Sequence, residues 1–381
     1  MSKLEELIEQ YCPDGVEWKT LKVVLKIRNG RDYKHLGEGP IPVYGSGGIM
    51  TYVDTPMYTN PSVLIPRKGS IDKLYYVDTP FWNVDTVFYT EIDTAQVVEK
   101  YVYYVLQKEH LEKLNTAGGV PSLTQSVLNE VIIPVPPLPV QEEIVRILDT
   151  FTELQAELQA ELQKRKQQYN YYLDNLLNFK NINRGGYQAE VRWMKMKDIG
   201  KVCMCKRILK SQTSSYGDVP FFKIGTFGGN ADAYISQALF NEYKAKYSYP
   251  QKGDVLISAA GTIGRTIVFD GTPSYFQDSN IVWLKHDESI VLNSYLRYCY
   301  ALNPWVVSTG GTIARLYNDN ILEATIPVPS LANQQRIVSI LDRFDRLTND
   351  LTSGLPAEIE KRRQQYEYYR DKLLTFKRKG A

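Results

Sequence analysis

Residues that commonly carry catalytic chemistry are present in this sequence, but their spacing matches no established catalytic pattern. The run Gly45-Ser46-Gly47-Gly48 lacks the Lys and the Ser or Thr that complete a nucleotide-binding loop. No GxGxxG run opens a helix after a strand, and no GxSxG elbow is present. The histidines His35, His110 and His286 are scattered, without an HExxH motif. The sequence therefore predicts that the chain alone catalyses no reaction, binds no cofactor and holds no metal.

The composition is that of a globular chain long enough for two domains. Of its 381 residues, 43% are hydrophobic and 23% are charged, and the formal net charge is only +2. No apolar run is long enough to span a bilayer, and the acidic, amphipathic first residues do not resemble a signal peptide. We therefore expect a cytoplasmic protein, in which any basic face is balanced by acidic surfaces elsewhere.

The chain contains a long internal repeat. Pro134-Val135-Pro136 returns as Pro327-Val328-Pro329, and residues 147–149 return as residues 340–342, both at an offset of 193. The phrase KRKQQYNYYLDNLL, which starts at Lys164, returns as KRRQQYEYYRDKLL from Lys361, with an offset of 197. The regions upstream agree only in outline. The pattern indicates an internal duplication, with a variable globular part and a repeated helical arm in each half.

The repeated arms have the spacing of coiled-coil helices. Residues 140–179 carry apolar side chains at alternating steps of three and four, with charged residues on the flanks. Ser353-Gly354-Leu355-Pro356 predicts a break and a restart in the second arm. The predicted helix–helix packing positions are Ile144, Ile147, Phe151, Leu154, Leu158, Tyr169, Tyr172, Leu176, Ile337, Ile340, Phe344, Leu347, Leu351, Tyr366, Tyr369 and Leu373.

The predicted fold class is α+β, with two globular domains separated by two long antiparallel helices and related by a pseudo-twofold duplication. The predicted segments are a globular domain at 1–139, a helix at 140–182, a second globular domain at 183–331 and a helical region at 332–381. Strand-like runs lie at residues 42–44, 62–66, 74–77, 86–89, 254–258, 265–269 and 280–284.

The repeated phrase carries a family resemblance. The stretch TAGGVPSLTQSVLNEVIIPVPPLPVQEEIVRILDTF, its second copy and the doubled tyrosine-rich phrase resemble the specificity subunit of type I restriction–modification systems. The resemblance covers essentially the whole chain in organisation, whereas the globular domains match only in outline. It implies that each domain is a target recognition domain for one half of a bipartite DNA site, and that the helices fix the unread spacer between the halves.

The resemblance also implies partners and cofactors outside this chain. The helices are expected to dock two methyltransferase subunits, which use S-adenosylmethionine to methylate adenine N6. Restriction subunits that use ATP and Mg²⁺ are expected to join in some complexes. An alternative from the residues alone is a coiled-coil adaptor with two protein-binding heads.

Candidate DNA contacts follow from side-chain chemistry, because base edges require donors and acceptors and phosphates require cations or backbone N–H groups. The first-domain candidates are Arg31, Lys34, Ser46, Lys68, Lys73, Trp82 and Asn83, and Trp82 fits a core position as well. The second-domain candidates are Lys206, Arg207, Lys210, Lys223, Thr226, Arg265, Gln277, Asp278, Ser279, Asn280 and Arg315. We match the polar run 277–280 with residues 82–86, and we expect the Gly-containing loops 116–122 and 309–315 to approach phosphates.

Overall fold

The chain is divided by its internal contacts into two compact units. The computed structural model describes residues 2–115, 121–179, 191–307 and 314–380. Unit 1 contains residues 1–160 together with residues 357–381, and unit 2 contains residues 161–356. Each unit therefore contains one variable region and helical segments from both halves of the sequence. The boundaries of the two units differ from those of the four predicted segments.

The first half of the chain begins with a region of short helices and strands and ends in a long helix. In chain order its elements are α1 (Lys3–Tyr11), β1 (Glu17–Thr20), α2 (Leu21–Val24), β2 (Leu25–Asn29), β3 (Ile41–Gly45), β4 (Gly48–Val53), β5 (Ser62–Pro66), β6 (Tyr75–Val77), β7 (Trp82–Asn83), β8 (Val87–Ile92), α3 (Glu99–Lys108), α4 (Gln125–Asn129), β9 (Ile132–Val135) and α5 (Leu138–Leu177).

The second half repeats the order from β1 to β9, adds the helix α7, and has two helices, α10 and α11, in place of α5. Its elements are β10 (Arg192–Lys195), α6 (Met196–Ile199), β11 (Gly200–Met204), β12 (Val219–Phe222), β13 (Tyr234–Ile235), α7 (Gln237–Lys246), β14 (Val255–Ser258), β15 (Thr266–Val268), β16 (Tyr275–Phe276), β17 (Ile281–His286), α8 (Asn293–Ala301), α9 (Asn318–Leu322), β18 (Thr325–Val328), α10 (Leu331–Asn349) and α11 (Leu355–Leu373).

The two variable regions have the same sheet topology. The first contains sheets ordered β2-β8-β5-β6 and β4-β3-β7, and the second contains β11-β17-β14-β15 and β13-β12-β16. In each half a further two-stranded pair places a tryptophan opposite a proline, Trp18 opposite Pro134 and Trp193 opposite Pro327. All seven predicted strands overlap observed ones, so the α+β duplication is confirmed. Eleven further strands among the described residues were not predicted, including the short strands β7 and β16.

The helical arms also match the prediction. α5 has 40 residues, which corresponds to a length of about 60 Å. α10 ends at Asn349 and α11 begins at Leu355, so the predicted break is confirmed. The Asp350 carboxylate accepts hydrogen bonds from the backbone N–H groups of Thr352 and Ser353, a local pattern that competes with helix continuation. α5 runs from unit 1 into unit 2, whereas α10 belongs to unit 2 and all but the first two residues of α11 belong to unit 1.

Equivalent aromatic pairs join the arms within each unit. In unit 1 the rings of Phe151 and Tyr369 stack with centroids 5.4 Å apart. In unit 2 the rings of Phe344 and Tyr172 stack at 5.1 Å. The offsets of 193 and 197 make these the same pair of positions in the repeat. The duplication therefore extends to individual contacts between helices.

The buried stripe of the arms lies one residue C-terminal to much of the predicted seam. The buried leucines are Leu148, Leu173, Leu177, Leu341 and Leu374, each directly after a predicted position. Of the predicted positions, Ile144, Ile337 and Tyr366 are buried, Ile147, Phe151, Leu154, Leu158, Tyr169, Leu176, Ile340, Phe344, Tyr369 and Leu373 are half-buried, and Tyr172, Leu347 and Leu351 are exposed.

Leu351 is the one predicted packing position that the structure clearly excludes. It lies beyond the end of α10 and its side chain is 79% exposed. The seam prediction extended the heptad through the turn that separates α10 from α11. The periodic pattern continues in the sequence there, but the helix does not.

A buried glutamine fastens each arm to its globular region. Gln141 accepts a hydrogen bond from Val98 N at 2.8 Å and donates to the carbonyl oxygens of Pro136 at 2.7 Å and Gln96 at 3.0 Å. Gln334 makes the equivalent three contacts, with Leu292 N, Pro329 O and Ile290 O. Both side chains are fully buried. The amide thus satisfies one donor and two acceptors where the proline-rich strand turns into the helix.

We expect Gln141→Ala and Gln334→Ala each to destabilise the unit that contains the glutamine. Truncation leaves three buried backbone groups unpaired, so the free energy of unfolding should fall by about 2–4 kcal/mol. Chemical denaturation followed by circular dichroism measures this. Gln159→Ala, at an exposed position of α5, is the matched control. Equal stability of the Gln141→Ala, Gln334→Ala and Gln159→Ala variants would contradict the structural role assigned to Gln141 and Gln334.

Candidate nucleic-acid interface

A polar cleft of about 660 Å³ in unit 2 gathers most of the predicted second-domain residues. Eight of the eleven candidates line it: Arg207, Lys210, Lys223, Gln277, Asp278, Ser279, Asn280 and Arg315. These residues are dispersed over more than a hundred positions of the sequence. Their convergence in one concave surface supports the prediction that they act together.

The short strand β16 sets the position of the polar run. β16 pairs in parallel with β12, which places Phe276 beside Phe222. Gln277 continues this pairing, because its N–H donates to the Phe222 carbonyl at 2.9 Å. Its side-chain oxygen accepts from Ile224 N at 2.9 Å. The run therefore leaves the sheet from a fixed point at the floor of the cleft.

Ser279 forms the tip of the polar run in a left-handed conformation. Its φ of 59° is uncommon for a residue with a side chain. The Arg315 guanidinium donates to the Ser279 carbonyl at 2.7 Å, and Asn280 N donates to the Asp278 carbonyl at 2.7 Å. Such a conformation persists only where its surroundings fix it. The cleft therefore presents its polar groups on a preorganised turn.

The charges of the cleft are partly paired. The Arg207 guanidinium donates from Nε to Asp278 Oδ2 at 2.8 Å. Lys223 Nζ lies 2.8 Å from Asp232 Oδ1. Lys210 is exposed and its ammonium has no ionic partner among the described residues. Four cations against two carboxylates leave the cleft with an excess of positive charge, although the chain as a whole is nearly neutral.

Three second-domain candidates lie outside this lining. Lys206 is exposed and its ammonium lies 5.1 Å from the centre of the Tyr247 ring. Thr226 closes a turn by accepting from Lys223 N at 3.0 Å. Arg265 donates to the Gly228 carbonyl at 3.1 Å, which fixes a neighbouring loop. Thr226 and Arg265 thus have structural contacts, and their DNA-binding role stays a prediction.

Five first-domain candidates occupy accessible positions. Arg31, Lys34, Lys68 and Lys73 are exposed, and Ser46 is half-buried. The Ser46 carbonyl accepts from the Tyr75 hydroxyl at 3.1 Å, which fixes the turn between β3 and β4. These positions are compatible with DNA contacts, which stay a prediction.

Trp82 and Asn83 were wrongly matched to the polar run. β3 and β7 pair in parallel as Val43–Trp82 and Tyr44–Asn83, in the register that β12 and β16 use for Tyr275 and Phe276. Trp82 and Asn83 therefore correspond to those two buried residues. The counterpart of the run 277–280 is residues 84–86, because Val84 N donates to Tyr44 O as Gln277 N does to Phe222 O.

The contacts of Trp82 and Asn83 explain their burial. Trp82 is 7% exposed, packs in a cluster with Val43 and Val53, and donates from Nε1 to the Arg31 carbonyl at 2.9 Å. Asn83 is fully buried and donates to the Val87 carbonyl at 2.7 Å. Both side chains hold the sheet and the following loop together, so their assignment as DNA contacts is corrected to a structural role.

The two Gly-containing loops expected to approach phosphates fall largely outside the described residues, at positions 116–120 and 308–313. Sequence reasoning also missed lining residues, namely Ile208, Thr213, Ser214, Ser215, Phe221, Asp232 and Ala233. The polar stretch from Thr213 to Ser215 was the available signal. The backbone bridge between Ser214 and Tyr234, which brings that stretch to the cleft, has no local signature in the sequence.

No catalytic group is recognisable around the cleft in the described residues. Burial raises the pKa of the nearby Cys205 thiol to about 12, which keeps it protonated and unreactive. The described residues contain no cluster of His, Cys, Asp and Glu side chains suited to a metal ion. None of the helices in the described part of the chain has the length and apolarity needed for a membrane span.

The duplicated fold is shared with solved structures of type I restriction–modification systems. A solved type I restriction–modification S subunit from M. genitalium has the same fold, with a TM-score of 0.60, 15% identity and coverage of 94% of this chain and 96% of that chain. A solved structure from work on assembly of the type I system gives a TM-score of 0.58 at 16% identity, covering 95% of this chain and 98% of that chain.

Sequence comparison establishes the family. The model of the type I restriction modification DNA specificity domain matches residues 13–165 and 188–361. A chain from Haemophilus influenzae described as a type I restriction enzyme specificity subunit is 45% identical over 98% of both chains. The EcoR124I/EcoR124II specificity subunit of Escherichia coli is 30% identical, covering 99% of this chain and 97% of its relative. The chain belongs to the family of type I restriction–modification specificity subunits, the non-catalytic components of these systems.

We expect Trp82→Ala to destabilise unit 1. Loss of a buried indole and its hydrogen bond should lower the free energy of unfolding by about 3–5 kcal/mol. Trp193→Ala is the matched control, because Trp193 is 51% exposed and should lose far less. Thermal unfolding of both variants compares them. A Trp82 variant that kept full stability and lost only DNA affinity would restore the contact role that the structure rejects.

Proposed function

We propose that this chain reads a bipartite DNA site, with each variable region recognising one half. The observation that carries the proposal is the cleft of unit 2, where amide, hydroxyl, guanidinium and ammonium groups meet on a preorganised turn. Those groups match base edges and phosphates. A chain of the specificity-subunit family is expected to present such a surface to DNA.

The first variable region is proposed to read the other half-site with different residues. Its topology repeats that of the second region, but the loop equivalent to the polar run consists of Val84, Asp85 and Thr86. Arg31, Lys34, Lys68 and Lys73 are the exposed cations available to it. Shared topology with unlike loop chemistry fits a pair of domains that recognise unlike sequences.

The helical arms are proposed to set the number of unread base pairs. A rigid helix transmits its length directly, at 1.5 Å per residue. Stacked aromatic pairs at equivalent positions join the arms in both units, which supports a fixed register between them. Reading two half-sites from one face of DNA requires such a fixed separation.

The arms are further proposed to dock two methyltransferase subunits through the tyrosine-rich phrase. Tyr171 and Tyr368 occupy the same position in the two copies and are 64% and 62% exposed. Each ring packs edge-on against the next tyrosine, Tyr172 or Tyr369. Internal packing does not account for an exposed aromatic residue in both copies, but two identical partners do, because tyrosine is favoured at interface centres.

The chemistry of the complex is assigned to those partners. The methyltransferase subunits are proposed to methylate adenine N6 with S-adenosylmethionine, and restriction subunits that join through them would use ATP and Mg²⁺. This chain is proposed to bind none of these cofactors itself. Its proposed location is the cytoplasm, in association with DNA.

Methylation mapping tests the recognition proposal. Single-molecule sequencing of DNA from cells that express this chain with its methyltransferase partner should reveal methylated adenines in one bipartite motif. Inserting Ala-Glu-Leu-Gln after Gln159 repeats the local sequence and lengthens α5 by about 6 Å. Four residues turn the helix by about 400°, which nearly preserves the faces. The spacer should therefore grow by about one or two base pairs while both half-sites stay the same.

Gln159→Ala changes no length and serves as the control for that insertion. Altered half-sites in the insertion variant would contradict the role of the arms. Absence of any methylated motif that depends on this chain, together with negligible affinity for DNA, would favour the adaptor alternative.

If Tyr171 and Tyr368 dock the methyltransferase subunits, replacing them should change the number of methyltransferase subunits bound per chain. Tyr171→Ala and Tyr368→Ala should each weaken one partner site by about 10-fold or more, and the double variant should weaken both. Native mass spectrometry at a concentration near the wild-type dissociation constant should then show mainly one methyltransferase per chain for each single variant. Tyr11→Ala, at an exposed residue of α1 outside the repeated arms, is the control. Full occupancy in the double variant would exclude this docking surface.

A further inference from the structure

We propose that Arg207 reads a guanine in the half-site of the second variable region and that Asp278 is its positioning residue. The inference rests on the proposed function and narrows it to one base and one pair of side chains. It is carried by the geometry of a single ion pair in the cleft.

The ion pair leaves the reading end of Arg207 free. The contact to Asp278 Oδ2 uses Nε of the guanidinium, at 2.8 Å. The two Nη groups have no hydrogen-bond partner among the described residues. Guanine presents N7 and O6 side by side on its major-groove edge, and two parallel N–H donors of arginine match them. A carboxylate on Nε therefore orients the fork without occupying the donors that guanine needs.

Burial separates the roles of the two residues. The Arg207 side chain is 68% exposed, whereas the Asp278 side chain is 17% exposed. Asp278 lies between Gln277, whose amide oxygen accepts from Ile224 N, and Ser279, whose carbonyl accepts from Arg315. The carboxylate is thus held by the turn, and the arginine is the member that can reach outward to DNA.

The second ion pair of the cleft lacks these properties. Lys223 and Asp232 are 42% and 57% exposed, so neither member is fixed by burial. An ammonium is a point charge with rotatable donors and suits a phosphate better than a planar pair of acceptors. Lys223 therefore serves as a comparison for a contact that adds affinity without reading sequence.

The first variable region does not contain the equivalent arginine–aspartate ion pair. β2 ends at Asn29 and Asp32 follows three residues later, where the second region has Arg207 three residues after the end of β11. Asp85 follows Val84 as Asp278 follows Gln277. Two aspartates stand at the positions of the ion pair, so this oriented arginine is confined to the second variable region.

The test compares Arg207→Ala, Arg207→Lys and Asp278→Asn in the full chain with its methyltransferase partner. Methylation mapping should show that one guanine of one half-site becomes degenerate with Arg207→Ala and that the other half-site is unchanged. In a binding assay, wild-type affinity for a duplex carrying 7-deazaguanine at that position should fall about 10-fold, because the N7 acceptor is missing. Arg207→Ala should show no further loss on the modified duplex.

Asp278→Asn distinguishes positioning from simple structural support. It removes a negative charge from the cleft, so affinity for DNA that lacks the motif should stay level or rise. Discrimination for guanine should fall about 3- to 10-fold, since the guanidinium is no longer oriented. A residue with only a structural role would lower binding to both kinds of DNA together.

The controls separate the remaining outcomes. Lys246→Gln breaks another exposed ion pair, with Glu242, that does not line the cleft, and it should leave motif and affinity unchanged. Uniform loss of affinity with an intact motif in the Arg207 variants would make Arg207 a phosphate contact and overturn the inference. Relaxation at a position other than guanine would overturn it equally. If the wild-type chain yields no bipartite motif, the proposed function fails first and this inference fails with it.

Discussion

The structure depends on an exchange of helices between the two halves of the sequence. In unit 1 the buried Tyr366 ring packs against Tyr104 and its hydroxyl donates to Gln107 at 2.8 Å. In unit 2 the last turns of α5 supply Leu173 and Leu177 to a core built by the second half. Neither variable region has a complete core without a segment from the other half. This requirement explains why the duplicated sequence keeps its helical phrases alike while the regions between them diverge.

The same constraint separates two kinds of residue. Gln141 and Gln334 make identical sets of three hydrogen bonds because the junction of strand and helix has the same geometry in both units. Loop residues have no such packing constraint. The position of Asp278 in the second half is occupied by Asp85 in the first, which lacks the arginine that would complete an ion pair. Identity between the halves thus marks packing or a shared partner, and difference marks the surfaces where recognition can vary.

Sequence patterns were informative where a local rule governs the structure. The short unbroken apolar runs of β5 and β14, the three-four spacing of α5 and the proline near the start of α11 each predicted an element. The burial of Trp82 was not decidable from sequence, because it depends on the parallel pairing of β7 with β3, forty residues away. The packing prediction for Leu351 was wrong for a different reason. The periodic pattern continues in the sequence past Asp350, but α10 ends at Asn349. Eight lining residues of the cleft were among the sequence candidates and seven were missed. The long-range bridge from Ser214 to Tyr234, which brings part of the missed stretch to the cleft, has no local signature in the sequence.

The near-neutral charge of the chain is compatible with selective binding to DNA. A uniformly basic surface would bind any sequence, because phosphate contacts carry no sequence information. Here two cations of the cleft are held by Asp278 and Asp232, and a third, Arg315, is committed to the Ser279 carbonyl. In the proposed recognition of DNA, each carboxylate offsets one cation and so lowers the attraction for phosphates in general, and Asp278 orients the Arg207 guanidinium. On that proposal, the acidic residues of the cleft contribute to specificity together with the basic ones.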